Sequence, residues 1–194
     1  MRLDPVHDLQ AVFHEIMSAM ATPGIVREIG ELAERIDIDD PIPKPMLAIA
    51  MALLDAETVF CFRCDPDGER SASLSRMTSA RRGPVEGADF VFVMGDGKDL
   101  AEAVVASREG TLVDPQLGAT VVALVDSIEG EGELTLSGPG IESSAKLGVG
   151  LGRAWVEARA AKNREFPLGV DMLLVDPLGR LAALPRTTLA EAEG

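Results

Sequence analysis

The sequence contains no tyrosine, one tryptophan and only two cysteines among its 194 residues, and aromatic side chains make up 4% of the chain. The core is therefore expected to consist mainly of Leu, Val, Ile, Ala and Met side chains. Two cysteines exclude a disulfide framework of the kind that stabilises small secreted domains. Cys61 and Cys64 lie three apart beside a predicted strand, where they would point to opposite faces. We expect neither a disulfide nor a shared metal unless Cys64 lies beyond the end of that strand, and we predict two small buried thiols.

Histidine and lysine are also scarce, which limits metal and cofactor chemistry. His7 and His14 lie about 10 Å apart along a predicted helix, too far for one metal ion. We predict that they face solvent or cap the helix, and that there is no metal site. Pyridoxal phosphate needs a lysine for its Schiff base, and Lys98, after the turn 95–97, is the one lysine in a suitable loop. We predict no bound cofactor.

The formal net charge is −14, so the surface should repel nucleic acid and anionic lipid head groups. Nucleic acid and membranes are therefore not expected as partners. The longest apolar stretch, residues 45–54, is too short to span a bilayer. Acidic residues and a proline within the first eight positions do not resemble a signal peptide, so we expect a cytoplasmic protein.

The periodicity of apolar residues predicts a single α/β domain over residues 1–194, with no repeat and no dividing linker. Predicted helices cover residues 6–20, 46–54, 100–106 and 148–161. Predicted strands cover residues 25–29, 59–62, 90–94, 121–125, 132–137, 172–175 and 180–184. Helices that alternate with continuously apolar strands favour a three-layer α/β/α arrangement. We expect a mixed sheet, because residues 129–132 resemble a tight turn between two antiparallel strands.

Two glycine-rich loops resemble phosphate-binding loops only in part. Gly95, Asp96 and Gly97 lie between a predicted strand and a helix, but the third glycine of a dinucleotide fingerprint is missing. The run at 148–152 follows no strand directly, and neither loop is followed by a Walker lysine-serine pair. No GxSxG nucleophile motif is present, so the sequence gives no support for a hydrolase triad.

Residues 70–85 carry four arginines and no acidic residue in an otherwise acidic chain. Guanidinium groups suit phosphate or phosphonate oxygens, so Arg76, Arg81 and Arg82 are candidate ligand-binding residues. The same pattern is typical of a solvated loop, or of a surface that meets an acidic neighbouring subunit.

The remaining motifs are four blocks that lie apart from one another along the chain. They are residues 19–24, residues 110–120, residues 137–141, and a C-terminal block that comprises residues 166–171 and 184–188. In this order they resemble the PhnH family, the H subunit of the bacterial carbon–phosphorus lyase machinery. Prolines and glycines in these blocks mark element boundaries, so the blocks define a fold better than a catalytic set.

The resemblance implies a fold similar to that of pyridoxal-phosphate-dependent transferases, without the cofactor and its binding residues. It also implies a homodimer when the subunit is isolated, and assembly with the G, I and J subunits. That complex forms ribose 1-methylphosphonate 5-triphosphate from ATP and methylphosphonate. No catalytic residue is implied for the H subunit, so a structural or auxiliary subunit without a complete active site is expected.

Arg186, Thr187 and Thr188 form the polar cluster of the last block that could reach a ligand or a partner, although a capping role is equally expected. Arg186 and Thr187 are the candidate binding residues from this cluster. The alternative function is an independent enzyme that binds pyridoxal phosphate or a nucleotide. A third possibility is a pure interaction module without a ligand.

Overall fold

The computed structural model describes residues 3–192. Its helices are α1 (His7–Ala21), α2 (Gly30–Ala33), α3 (Lys44–Leu53), α4 (Glu69–Thr78), α5 (Gly97–Ala106) and α6 (Ala154–Lys162). Its strands are β1 (Arg27–Glu28), β2 (Val59–Arg63), β3 (Arg81–Arg82), β4 (Phe90–Val93), β5 (Thr120–Leu124), β6 (Ile128–Ser137), β7 (Ala145–Val149), β8 (Asp171–Val175), β9 (Arg180–Leu184) and β10 (Leu189–Ala192).

Seven strands form the main sheet in the order β1-β9-β8-β5-β4-β2-β3. The five strands from β8 to β3 are parallel, whereas β9 is antiparallel to β8 and β1 is antiparallel to β9. The predicted mixed α/β sheet is therefore confirmed. The antiparallel part comprises β9 and β1, and in the β8–β9 hairpin Met172 pairs with Leu184.

The main sheet is covered on both faces because successive strand residues point to opposite sides. Phe60 and Phe92 face a core built with α1, α3 and α4. Val91 and Val93 face a second core that contains α5, α6 and the inner side of a smaller sheet. Burial on both faces explains why these strands are continuous apolar runs in the sequence.

The smaller sheet, β10-β6-β7, corrects one prediction. Residues 121–125 and 132–137 do not form a hairpin with each other, because β5 pairs with β4 and β8 in the main sheet. Residues 129–132 lie within β6, where the pairing with β7 shifts register between Glu129 and Leu134. Alternating Glu and Gly have the composition of a turn, but here they form an irregular stretch of an exposed strand, consistent with the bending that bulges allow.

Two local predictions, the start of a helix and the burial of Cys64, were also wrong. The helix predicted at 148–161 begins only at Ala154, since Ala145–Val149 forms β7. Helix α4 was not predicted. Cys64 is exposed just beyond the end of β2, with a positive φ of 60°, and Cys61 is only partly buried. Both cysteines are free, so the expectation of two buried thiols was incorrect for Cys64.

Among residues 3–192, no helix is both long enough and apolar enough to cross a membrane.

Candidate functional site

Two arginines join several chain segments at one end of the main sheet. We call this region the arginine corner, and it consists of Arg159 and Arg186 with the groups they contact. It lies where β8 begins and β9 ends. It is therefore at the amino ends of the parallel strands, whereas ligands of open α/β sheets usually bind at their carboxyl ends.

Arg186 forms a charged pair with Asp171 at the start of β8. Its Nη2 lies 2.6 Å and its Nε 3.2 Å from Asp171 Oδ2, and its backbone N–H donates to Asp171 Oδ1 at 2.7 Å. Its Nη1 donates to the carbonyl oxygens of Pro115 at 2.7 Å and Pro167 at 3.4 Å. A guanidinium group that bonds a carboxylate and two carbonyls fixes three loops relative to one another.

Arg159 lies in the last turn of α6 and is only 2% exposed. Its Nη1 donates to Thr188 O at 2.9 Å, and its Nη2 donates to Leu184 O at 3.1 Å and Pro185 O at 2.6 Å. Burial lowers the pKa of this guanidinium to about 10, and the nearby charge of Asp171 opposes the shift. Arg159 therefore holds residues 184–188 with a buried cation that contacts carbonyl oxygens rather than a carboxylate.

Close packing explains the glycines of this region. Val170 N donates to Asn163 Oδ1 at 2.8 Å, and Asn163 Nδ2 donates to Val170 O at 3.0 Å. Gly169 has a φ of 134°, and a Cβ there would lie 2.4 Å from Asn163 Oδ1. A Cβ on Gly118 would lie 2.7 Å from Arg186 Nη1 and 2.5 Å from Gly169 O. A side chain at either position would push these segments apart.

The other sequence blocks also reach this region. A Cβ on Gly138 would lie 2.8 Å from Thr187 O, which brings the 137–141 block against the last block. A Cβ on Gly140 would lie 2.4 Å from Ala21 O, which brings the 19–24 block against the 137–141 block. All four blocks, distant in sequence, thus form one continuous set of contacts in space.

A cleft of about 250 Å³ opens beside the arginine corner, between α6 and β10. Its charged lining consists of Arg159, Arg164, Arg186 and Glu191. Thr188 also lines the cleft and is only 1% exposed. Neither the Thr188 hydroxyl nor Arg159 Nε has a hydrogen-bond partner among residues 3–192.

The structure separates the candidate residues that were selected from the sequence. Arg186 and Thr187 lie at the arginine corner, next to β9. Arg81 and Arg82 form β3 at the far edge of the main sheet, with four strands between β3 and β9. Arg76 lies on α4, where its Nη2 approaches Ser73 Oγ at 3.5 Å, and Arg81 Nη2 donates to Glu57 O at 3.0 Å. The five candidates therefore do not form one site, and their roles in binding stay predictions.

In the loop at 95–97, the Asp96 carboxylate occupies the backbone N–H groups at the start of α5. Asp96 Oδ1 accepts hydrogen bonds from the backbone N–H groups of Lys98 at 2.8 Å and Asp99 at 2.9 Å. These bonds lower the pKa of Asp96. A phosphate at this helix end would have to displace that carboxylate from the N–H groups that phosphate-binding loops use. An open cleft of about 500 Å³, lined in part by Asp126, lies next to this loop.

The two histidines are exposed, as predicted, and His7 Nδ1 lies 3.0 Å from Asp4 Oδ2. No group of three or more His, Cys, Asp or Glu side chains within residues 3–192 is arranged to hold a metal ion.

Sequence reasoning missed Arg159, Asn163 and Asp171, the residues that hold the C-terminal block. Asp171 was recognised as part of a motif but without a role. Arg159 and Asn163 carry no local signal, because a buried arginine on a helix has the same pattern as a solvated one. Only the contacts of Arg159 with residues 184–188 and of Asn163 with Val170 distinguish them.

Comparison with known proteins confirms the resemblance. A family described as bacterial phosphonate metabolism protein (PhnH) matches residues 2–191. HtxG of Stutzerimonas stutzeri, provisionally described as a C-P lyase subunit protein, is 36% identical over 187 residues, which cover 95% of this chain and 87% of HtxG. The alpha-D-ribose 1-methylphosphonate 5-triphosphate synthase subunit PhnH of Rhizobium meliloti (strain 1021) is 29% identical over 204 residues, which cover 98% of this chain and 94% of that protein. The chain therefore belongs to the PhnH family of bacterial phosphonate metabolism proteins.

Proposed function

We propose that this chain is an auxiliary subunit of a carbon–phosphorus lyase complex, which helps to form ribose 1-methylphosphonate 5-triphosphate from ATP and methylphosphonate. The observation that carries the proposal is the family match over residues 2–191, together with two relatives whose names place them in this pathway. Neither relative supports the alternative of an independent enzyme that binds pyridoxal phosphate or a nucleotide.

The contacts around the family blocks agree with a supporting role for the subunit. Arg186 donates hydrogen bonds to Asp171 and to backbone carbonyls, and Arg159 donates to backbone carbonyls. Such contacts fix the shape of a surface more directly than they perform chemistry. We therefore expect a subunit that contributes a rigid binding surface.

Four apolar side chains near the arginine corner provide such a surface. We call them the assembly surface: Leu112, Val113, Leu117 and Phe166. Val113 is 86% and Phe166 75% exposed, and a group of exposed apolar side chains favours contact with another protein.

Hydrogen bonds from Arg186 fix the two loops that carry the assembly surface. Leu112, Val113 and Leu117 lie in the loop whose Pro115 carbonyl binds Arg186, and Phe166 precedes Pro167, whose carbonyl binds the same guanidinium group. A preorganised apolar surface loses little conformational entropy when it binds a partner. We propose that it takes part in a homodimer of the isolated chain or in contacts with the G, I and J subunits.

Two further parts of the proposal concern the fold and the location. We propose that the fold is related to that of pyridoxal-phosphate-dependent transferases, and that the chain binds no such cofactor. Lys98, the sequence candidate for a Schiff base, lies beside Asp96 at the start of α5. We also propose that the subunit works in the cytoplasm, where ATP is available.

Complementation tests the proposed function directly. A bacterial strain without its own H subunit should fail to grow on methylphosphonate as the sole phosphorus source, and expression of this chain should restore growth. Inorganic phosphate as the phosphorus source is the control, since growth on it needs no carbon–phosphorus lyase.

Affinity purification of the tagged chain from the complemented strain should recover the G, I and J subunits. Normal growth of the deletion strain on methylphosphonate would contradict the proposed function. A coloured, borohydride-reducible chromophore in the purified chain would instead favour the alternative enzyme.

A further inference from the structure

The cleft between α6 and β10 contains buried polar groups whose hydrogen-bonding capacity is not used. The Thr188 hydroxyl is 1% exposed and has no partner within residues 3–192. A buried hydroxyl without a partner is destabilising, and a bound water, ion or ligand is one explanation for such a group. Arg159 Nε, in the guanidinium group that contacts the Thr188 carbonyl, is also buried and without a partner among the described residues.

The charge of the cleft is opposite to that of the whole chain. Arg159, Arg164 and Arg186 line it, and Glu191 is the one carboxylate in its lining. Asp171 balances Arg186. By contrast, the contacts of Arg159 are carbonyl oxygens, which carry no full charge. In a chain with a net charge of −14, a local excess of guanidinium groups attracts anions specifically.

The size of the cleft limits the anion. About 250 Å³ is below the range of pockets that hold drug-sized ligands, so a whole nucleotide does not fit inside. One tetrahedral anion does fit. Guanidinium N–H groups and a hydroxyl donor are the groups that bind phosphate-type oxygens in proteins.

We infer that the cleft lined by Arg159, Arg164 and Thr188 binds a single phosphate-type oxyanion. The same chemistry is offered by inorganic phosphate, by the phosphonate group of methylphosphonate and by the terminal phosphate of ATP. An anion here would give the Thr188 hydroxyl an acceptor and place a negative charge next to Arg159. Burial lowers the pKa of Arg159, and a bound anion would oppose that shift.

Titration of the purified full chain tests this inference. ³¹P NMR at low ionic strength would follow binding of inorganic phosphate, methylphosphonate and ATP in separate arms, with chloride at equal ionic strength as the blank. We expect saturable binding of phosphate and methylphosphonate, and no advantage for ATP. Absence of saturable binding of either small anion up to about 10 mM would overturn the inference. Binding of ATP alone would overturn the assignment to a small anion.

Three substitutions locate the site. Thr188→Val removes the hydroxyl and should lower the affinity for phosphate about tenfold, while the free protein stays as stable as the wild type or becomes more stable. A merely structural role of Thr188 predicts the reverse, a loss of stability with unchanged affinity. Glu191→Gln should raise the affinity about threefold, and Arg164→Gln should lower it about threefold, because both change the local charge at exposed positions.

Arg82→Gln is the competing variant, since it removes an exposed arginine, itself a candidate from the sequence, at the far edge of the main sheet. The inference predicts an unchanged affinity for this variant, and a loss as large as that of Arg164→Gln would overturn the location. Equal affinities in Glu191→Gln, Arg164→Gln and the wild type would overturn the location even if Thr188→Val failed to fold.

The inference does not depend on the proposed function. Failed titrations would leave complementation and subunit recovery unaffected, and failed complementation would leave the anion titration unaffected. If both succeed, growth of a Glu191→Gln or Arg164→Gln strain on limiting methylphosphonate reports whether the anion site serves the pathway.

Discussion

Arg186 and Asp171 lie fifteen residues apart in the chain and form a two-point contact in which Arg186 Nε and Nη2 both reach Asp171 Oδ2, at 3.2 Å and 2.6 Å. Both side chains are mostly buried, at 15% and 17% exposure. Because the same guanidinium group binds the Pro115 and Pro167 carbonyls, this pair positions the loops of the assembly surface.

Arg186→Gln should lower the free energy of unfolding by about 3 kcal/mol, because it leaves the Asp171 carboxylate without its cation and two carbonyls without donors. Urea denaturation at pH 7 measures this change. Arg82→Gln, on an exposed edge strand, should change stability by less than about 0.5 kcal/mol. Equal stability of the two variants would mean that the Arg186–Asp171 pair does not hold the corner.

Asp4 should make stability depend on pH in the acidic range. The backbone N–H groups of His7 and Val6 lower the pKa of this carboxyl from 3.8 to about 2. A lowered pKa in the folded state means that the contribution is fully present above pH 4 and is lost as the pH falls towards 2.

The Asp4→Ala variant should therefore be less stable than the wild type at pH 7, and the difference should shrink between pH 4 and pH 2. Chemical denaturation of both proteins across this range measures it. A difference that stays constant down to pH 2 would show that the carboxylate at position 4 does not stabilise the start of α1. Asp67→Ala is a control at another exposed aspartate that precedes a helix.

Val113→Asp should weaken self-association or binding to partner subunits about tenfold, because it places a charge at the most exposed side chain of the assembly surface. Sedimentation velocity of the purified chain and recovery of co-purified subunits measure the two effects. Leu178→Asp is the matched control, since Leu178 is 73% exposed in the turn at the other end of β8. If both variants assemble like the wild type, the assembly surface is not an interface.

Replacement of both Arg81 and Arg82 by Glu should weaken assembly with an acidic neighbour while the far-UV circular dichroism spectrum stays the same. Both side chains are exposed on the two-residue edge strand β3, so their charges face whatever approaches that edge. Unchanged recovery of partner subunits would indicate that the arginines only protect the edge from unwanted strand pairing.

The main sheet was largely predictable because its central strands are buried on both faces. Apolar runs at 59–62, 90–94, 121–125 and 172–175 coincide with strands in the structure to within one residue at each end. Helix α4 was missed because only Ser73 and Leu74 of its ten residues are buried, so no apolar stripe is present.

The candidate site was less predictable, because its contacts join residues that are distant in sequence. The motif at 184–188 was recognised, and Arg186 and Thr187 were selected from it. Its partners were not recognised, because the contact of Arg159 with the Thr188 carbonyl spans 29 positions and that of Arg186 with the Pro115 carbonyl spans 71. No periodicity or local motif encodes pairs at such separations.

These long separations also determine when the corner can form during synthesis. Residues 184–188 leave the ribosome after Pro115, Arg159 and Asp171. These three residues therefore cannot form their contacts with residues 184–188 until that segment has been synthesised. A nascent chain that stops before residue 184 keeps the buried apolar runs of β5 and β8 but has exposed loops and an uncompensated aspartate at one end. Residues 184–188 therefore complete the arginine corner only late in synthesis.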